Sequence, residues 1–452
     1  MGRERIHILG ICGTFMGGIA LLAKEAGFEV TGSDENIYPP MSEHLSSQNI
    51  DVIDGYEINN IPKADIYLIG NVLSRGNIAV EHILKSGLPF SSGPAWLAQN
   101  ILKGKRVLAV SGTHGKTTTT SMISWILESN GLDIGYIIAG KPENFKRSAR
   151  LGSNDIFVIE ADEYDSAFFD KRAKFIHYLP EVLVINNLEF DHADIYSDIS
   201  QIQKEFHNLL RTMSMKSSII IPDNDLRIRE VIKMGLWSSL ITFGQTTSLS
   251  NFFEPVVSDY SKIRFSIEGK EKEMSWKMFG KHNAFNALAS ILAVKELNIS
   301  LSNSIAALEN FLGVSRRQEV LIERDNFVLI DDFAHHPTAI KETLEGVRNR
   351  YKERRVIAFI ELRSNTMKSG LHDQKLIKSV ENADIVYWGG NDKKQINSLI
   401  KHSPVKSNHI NSIEKAVKDT VKDLNKGDVV IMMSNGNFGD LGKKLKVALE
   451  HA

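Results

Sequence analysis

One cysteine in 452 residues, Cys12, leaves no partner for an intramolecular disulfide and suits a reducing compartment. An excess of either charge is missing too: 54 Lys and Arg face 55 Asp and Glu, for a formal net charge of −1. No block of Lys and Arg is dense enough to make the basic stripe of a nucleic-acid binder. The opening MGRERIHILGICG carries an apolar run far too short for a signal peptide or a membrane span. Internal repeats and low-complexity segments are absent. These absences exclude a disulfide scaffold, a nucleic-acid binder and a membrane protein. They leave the expectation of a soluble, cytoplasmic chain whose partners are neither nucleic acid nor membrane.

What is present is 42% hydrophobic and 24% charged, a balance that can bury a large core. The length allows about three domains at roughly 150 residues each. Short apolar runs that end in glycine or polar residues alternate with helical patterns, which predicts α/β units on mostly parallel sheets. RIHILG (5–10), EVTGSD (29–34) and DIYLIG (65–70) read as strands of a first unit. A second begins at KRVLAVSGTHGKTTTT and continues through DIFVIEADE (155–163) and VLVINNLEFDH (182–192). Residues 251–278 alternate as antiparallel strands do. A third unit follows RRQEVLIE, with FVLIDDF (327–333), RRVIAFIELR (354–363), DIVYW (384–388) and DVVIMMS (428–434) as buried strands. Breaks near 104 and 313 are expected.

Two glycine-rich strings each lack part of a familiar consensus. LAVSGTHGKTTTT (108–120) has the Gly115, Lys116 and Thr117 of a Walker A loop, but Val110 stands where its first glycine belongs. Gly112 can open a shorter turn and leave Val110 in the strand. Such a turn aims backbone N–H groups at phosphate oxygens, with Lys116 on the β/γ-phosphates and Thr117 on Mg²⁺. Glu160, at the end of DIFVI, is placed to carry a carboxylate to that metal. His192, in LEFDHADIY, ends the neighbouring strand and reads either as a metal ligand or as a structural histidine, since imidazole is unusual on Mg²⁺. Asp162, Glu163 and Asp165 can equally be a solvated acidic loop. ILGICGTFMGG fails the dinucleotide fingerprint, because Cys12 and Phe15 occupy its second and third glycine positions. Nicotinamide chemistry is therefore unsupported. Gly10 and Gly13 still suit a diphosphate, and Asp34 at the next strand end suits a ribose. Cys12 reads as a small packing residue.

GTHGKTTT (112–119), EADE (160–163), FDH (190–192), GKHNAFNALA (280–289), RRQE (316–319) and DDFAHHPT (331–338), in this order, resemble the Mur ligases over essentially the whole chain. Those are ATP-dependent amide-forming enzymes of cell-wall peptide synthesis, and their loop also lacks the first Walker glycine. The resemblance implies three domains: a Rossmann-like UDP-sugar domain (1–104), a P-loop ATPase-like domain (105–312) and a Rossmann-like peptide-acceptor domain (313–452). It implies ATP and Mg²⁺, with Lys116, Glu160 and His192 catalytic and Thr117, Glu160 and His192 on the metal.

The same resemblance implies an ATP site of Gly112, Thr113, His114, Gly115, Lys116, Thr117 and Thr118. Asn283 and Asn286 join it near the adenine, and Arg317, Asp332 and His335 from the third domain. Without the resemblance, Arg317 reads as a surface charge. The UDP-sugar site implied is Gly10, Gly13, Thr14, Met16, Gly17, Asp34, Asn71, Ser74 and Arg75. Arg363, Ser364 and Asn365 would meet the peptide acceptor. NLEFDHADIY, EADEYDSAFFDKR and ELRSNTMKSG resemble the branch that joins a murein tripeptide, L-alanyl-γ-D-glutamyl-meso-diaminopimelate, to UDP-N-acetylmuramate. GICGTFMGGIA resembles the branch that adds L-alanine instead. Some members carry a carbamoylated lysine where Phe206 stands here, and Lys204, about 200° around the helix, cannot replace it. The remaining alternative is a non-catalytic nucleotide-binding protein on this scaffold.

Overall fold

In the computed structural model, which describes residues 3–38 and 41–450, the strands form three large sheets and two small ones. The first holds β1 (Arg5–Leu9), β2 (Glu29–Asp34), β3 (Asp51–Asp54), β4 (Ile66–Ile69) and β5 (Phe90–Ser92). All are parallel in the order β3-β2-β1-β4-β5. The order reverses between β1 and β4, which opens a crevice at their carboxyl ends. Gly10, with φ +79°, turns the chain there into the helix Thr14–Glu25. No side chain caps that helix, so its first N–H groups stay available to an anion.

The second unit contains β6 (Arg106–Ser111), β7 (Gly135–Ile137), β8 (Ala149–Arg150) and β9 (Ile156–Glu160). After the hairpin β10 (Asp165–Ala167) and β11 (Asp170–Ala173) come β12 (Val182–Ile185), β13 (Ser218–Pro222) and β14 (Ser239–Phe243). Seven of these pair in the order β14-β13-β12-β6-β9-β7-β8, parallel except for β7 with β8. β6 is central, so its VLAVS run is buried throughout, as a strand covered by helices on both faces must be. The hairpin, which nothing in the periodicity predicts, reaches the first sheet: Phe169 meets Phe90 edge to face with ring centroids 4.9 Å apart. The alternation at 251–278 is realised as antiparallel β15 (Asn251–Pro255), β16 (Lys262–Ile267) and β17 (Lys270–Ser275).

The third unit has β18 (Glu319–Glu323), β19 (Phe327–Asp332), β20 (Val356–Glu361), β21 (Ile385–Gly389), β22 (Lys406–His409) and β23 (Asp428–Met433). Their order is β18-β19-β23-β20-β21-β22, with only β18 antiparallel. On the helix Ile199–Thr212, Phe206 is buried against Phe175, with centroids 5.1 Å apart, while Lys204 faces solvent.

Val110 pairs with Glu160 on one side and Val184 on the other and is fully buried. Restoring the consensus glycine by Val110→Gly should therefore lower stability by about 3 kcal/mol without tightening nucleotide binding. Urea denaturation and ATP titration of the variant check both halves.

Candidate active site where the three sheets converge

β6 ends at Ser111, and the phosphate-loop turn is made by Gly112, at φ +124°, and Gly115, at φ +80°. A Cβ on Gly112 would lie 2.8 Å from the Asn187 carbonyl oxygen, and one on Gly115 would lie 2.6 Å from Asn286 Oδ1. Both positions thus require glycine for space as well as for conformation. The loop is held from β12 by an asparagine pair that the sequence reading passed over. The His114 N–H donates to Asn187 Oδ1 at 2.8 Å, and Asn186 Nδ2 donates to Thr119 Oγ1 at 3.0 Å. Lys116 opens the helix Lys116–Ser129 beneath a cavity of about 800 Å³, large enough for a nucleotide and a second substrate.

Asp162 and Glu163 are not a solvated loop. Glu163 is 2% exposed, and its two oxygens hold Lys116 Nζ at 3.0 Å and His192 Nε2 at 3.2 Å. Asp162 lies 3.6 Å from Lys116 Nζ and 3.0 Å from Lys174 Nζ. Burial opposes the Lys116 charge, yet Glu163 and Asp162 outweigh it and hold the ammonium above its usual range. Burial likewise works against a charged His192, but its bond to Glu163 raises it. Asp165 does sit apart, paired with exposed Lys171 at 2.6 Å.

The expected metal set is brought together only in part. Thr117 Oγ1 donates to Glu160 Oε2 at 3.1 Å, an all-oxygen pair beside the loop that suits Mg²⁺. Burial pushes the Glu160 carboxyl up, and the Ala139 N–H and Arg317 offset this incompletely. His192, with a left-handed φ of 56°, groups instead with Asp162 and Glu163. Two cavity-lining amide atoms, Asn186 Oδ1 and Gln318 Nε2, are buried without a hydrogen-bond partner among the described residues, as a polar ligand would require.

The third sheet closes this cavity. Arg317 is no surface charge: its guanidinium stacks on Phe333 at 4.4 Å, and Nη2 reaches to 3.4 Å from Thr117 Oγ1. The backbone that aims it is unusual, with Arg316 at φ 60° and Gln318 at φ 52°. Asp332 holds that turn, accepting from the Gln318 N–H at 2.7 Å and the Ala334 N–H at 2.7 Å. His335 also lines the cavity, its Nδ1 against the Phe333 carbonyl at 2.8 Å. Asn283 and Asn286 lie on the buried face of the helix Lys281–Lys295, with Asn283 Nδ2 donating to Gln318 Oε1 at 2.9 Å.

The other predicted residues lie further out. Thr113 and Thr118 line the cavity with the rest of the loop, as does Thr14 from the first body. Gly13 caps the first helix, while Met16 and Gly17 are buried in the core, so only their backbone can meet a ligand. Asp34 fixes the glycine turn by accepting from the Cys12 N–H at 2.8 Å and the Asn36 N–H at 2.9 Å. The Cys12 thiol is pushed up to about 11 by burial and by Asp34, which suits packing and not nucleophilic attack. Asn71, Ser74 and Arg75 follow β4 at the crevice, with Arg75 paired to Glu81 at 2.8 Å. Arg363 and Asn365 are exposed past β20, outside the cavity, and Ser364 caps the next helix. Thr366 nevertheless ties that segment to the site through Asp191 Oδ1 at 2.6 Å.

Compared with known proteins, the chain matches the family descriptions "Mur ligase family, catalytic domain" over residues 5–105, "Mur ligase middle domain" over 110–294 and "Mur ligase, glutamate ligase domain" over 316–436. It is 44% identical over 446 residues to the UDP-N-acetylmuramate–L-alanyl-γ-D-glutamyl-meso-2,6-diaminoheptandioate ligase of Escherichia coli, covering 98% of this chain and 97% of that one. A crystal structure of a murein peptide ligase from Psychrobacter arcticus superposes with a TM-score of 0.76 at 38% identity, covering 99% of each chain. The UDP-N-acetylmuramate–L-alanine ligase of Hydrogenovibrio crunogenus is 30% identical over 465 residues, covering 98% of each chain.

Glu342, on the cavity wall, is pushed up to about 7 by burial and by Glu189 and Glu345. A carboxyl raised in the fold stabilises it fully below the unfolded value of 4.5, and this contribution is lost as pH rises through about 7. Glu342→Gln should therefore flatten the fall in thermal midpoint between about pH 5 and pH 8. Equal slopes for wild type and variant in scanning calorimetry would refute this.

Proposed function

Since the chain belongs to the Mur ligase family, we propose that it joins L-alanyl-γ-D-glutamyl-meso-diaminopimelate to UDP-N-acetylmuramate at the expense of ATP, as in murein recycling. The observation that carries the site assignment is the meeting of Lys116, Thr117 and Arg317, contributed by two bodies, around one cavity. The division we propose is residues 1–104 for the UDP-sugar, 105–312 for ATP and 313–452 for the peptide. Among the described residues, no helix is long and apolar enough to cross a membrane.

A free carboxylate is a poor electrophile, so the reaction proceeds by phosphorylating it. The lactyl carboxylate of UDP-N-acetylmuramate attacks the γ-phosphorus of ATP, the bond to the β-phosphate oxygen breaks, and ADP leaves. The alanyl amine then attacks the acyl carbon, and the tetrahedral adduct expels phosphate while the nitrogen loses its proton. Two anions must meet in the first step. Lys116 on the β/γ-phosphates and Arg317 opposite it supply the fixed positive charge. Thr117 and Glu160 would hold Mg²⁺, which when bound neutralises phosphate charge and polarises the γ-phosphoryl group. Closure of the third body aligns the amine and excludes water from the acyl phosphate. The same reading gives Lys174, buried beside Asp162 and 5.6 Å from the centre of the Phe15 ring, a place between the first body and the phosphates.

The nearest alternative acceptor is free L-alanine, to which the lower identity of the alanine-adding relative gives less support. Incubation with ATP, UDP-N-acetylmuramate and either acceptor should release phosphate with the tripeptide and not with alanine. Turnover with alanine alone would overturn the acceptor assignment, and none with either would favour a binding protein. Lys116→Ala should lower turnover by about 10³-fold or more, and Lys174→Ala should lower kcat/KM for the UDP-sugar by about 10²-fold. Full activity in Lys116→Ala would sink the phosphate-transfer assignment.

A further inference from the structure

Besides Asp162, Glu163 and His192, a second cluster of ligating side chains gathers at the phosphate loop. His114 and Glu189 belong to the loops after β6 and β12, and His336 to the loop after β19. We propose that His114, Glu189 and His336 form a binding site for a borderline transition-metal cation such as Zn²⁺, which clamps the third body onto the phosphate loop.

His114 Nε2 and His336 Nδ1 are 3.1 Å apart, His336 Nδ1 and Glu189 Oε2 are 3.9 Å apart, and all three groups offer ligand atoms within 4.8 Å of one another. Tetrahedral Zn²⁺ with bonds of about 2.0–2.1 Å spaces its donors by roughly 3.3–3.5 Å, so small side-chain adjustments suffice. A hydrogen bond between the two imidazoles explains only their own contact, because Glu189 stays too far from His336 to share it. A cation uses all three donors. Two imidazoles and one carboxylate match Zn²⁺ and disfavour Mg²⁺ and Ca²⁺, which take oxygen shells.

The surroundings already orient the donors, as outer partners do at metal sites. Thr338 Oγ1 donates to Glu189 Oε2 at 2.9 Å, and Asn187 fixes the His114 backbone. His336 Nδ1 faces His114 Nε2 at 3.1 Å and has a longer 3.4 Å contact with the Thr338 N–H, which a cation would displace. His336 Nε2 is buried without a partner among the described residues. Because the donors come from two bodies, a bound cation crosslinks them. Opening of the third body, on which substrate exchange depends, then becomes slower. The binding claim is independent of the ligase reading; only its effect on turnover rests on it.

The test is calorimetric titration of Zn²⁺ into the full, untagged chain under saturating Mg²⁺. Wild type is compared with His336→Asn, Glu189→Gln and His192→Asn. Asn at 336 keeps an oxygen for the N-cap of the following helix, and thermal melts confirm folding of each variant. The expected result is one Zn²⁺ per wild-type chain, at least about 10-fold weaker binding in the two seam variants and unchanged binding in His192→Asn. X-ray absorption at the zinc edge should count two imidazoles. Equal affinity in wild type and both seam variants overturns the site, and so does a loss confined to His192→Asn, which would move the cation to the other cluster. Zn²⁺ should also slow wild-type phosphate release at saturating substrates and leave His336→Asn unaffected; equal inhibition of both overturns the clamp.

Discussion

A buried ammonium has to be paired, and the pairing of Lys116 with Glu163 organises much of what surrounds it. Each partner of Lys116 is shared with a further cation. Asp162 also holds Lys174, and Glu163 also holds His192. His192 donates its backbone N–H to Asp191, which accepts in turn from Thr366 of the third body. The result is a row of alternating charges that runs from the hairpin end, against the first body, to the third. A polyanionic ligand entering this row exchanges partners with it. On the proposed reading, phosphate oxygens would replace Glu163 on Lys116, and the carboxylate so released would stay beside His192. The charge on Lys116 is thus kept in place by groups that can yield it, which is what a pre-organised electrostatic site requires.

The same constraint explains the shape of the third body's contribution. Arg317 must bring a guanidinium into a closed cavity against the desolvation that burial imposes on it. The chain does so with two left-handed residues flanking it, an arrangement worth roughly 1–3 kcal/mol of strain per residue. Asp332 offsets that cost by accepting a short bond from the Gln318 N–H of the turn while the Ala334 N–H fixes its other oxygen, and Phe333 offers its ring face to the cation. Asp332, expected near the nucleoside, therefore also shapes the loop that delivers Arg317.

Most of the fold was legible in the sequence because its signals are local. Strands such as RIHIL, RVLAVS and DVVIMM are mostly apolar behind a charged first residue, as parallel strands buried on both faces are. The glycines at 112 and 115 mark turns whose conformation excludes other residues. What could not be read depends on contacts distant in sequence. Nothing near EADEYD says that Glu163, and not Asp165, pairs with the buried lysine, because Lys116 lies 47 positions earlier. Lys174 follows a short hairpin too irregular for a period-2 pattern. The asparagines at 186 and 187 do carry a signal, two amides at the end of an apolar strand. Met16 and Gly17 show the opposite case: they lie within a binding motif, but their places in it are set by packing.

The missing Walker glycine is best understood from these constraints together. In the full consensus the first glycine lets the backbone leave the strand early and curl around the phosphates. Here the strand continues through Val110, because β9 and β12 both pair with it and its side chain fills the core. The turn is therefore compressed into the stretch from Gly112 to Gly115, and the grip of a longer loop passes to neighbours. Asn187 fixes the His114 backbone, Asn186 secures Thr119 behind it, and Asn286 packs over Gly115. Arg317 then closes the open side at 3.4 Å from Thr117. A loop that takes its last wall from a second body would be complete only with that body docked, and on the proposed reading this would couple phosphate chemistry to domain closure without any dedicated switch.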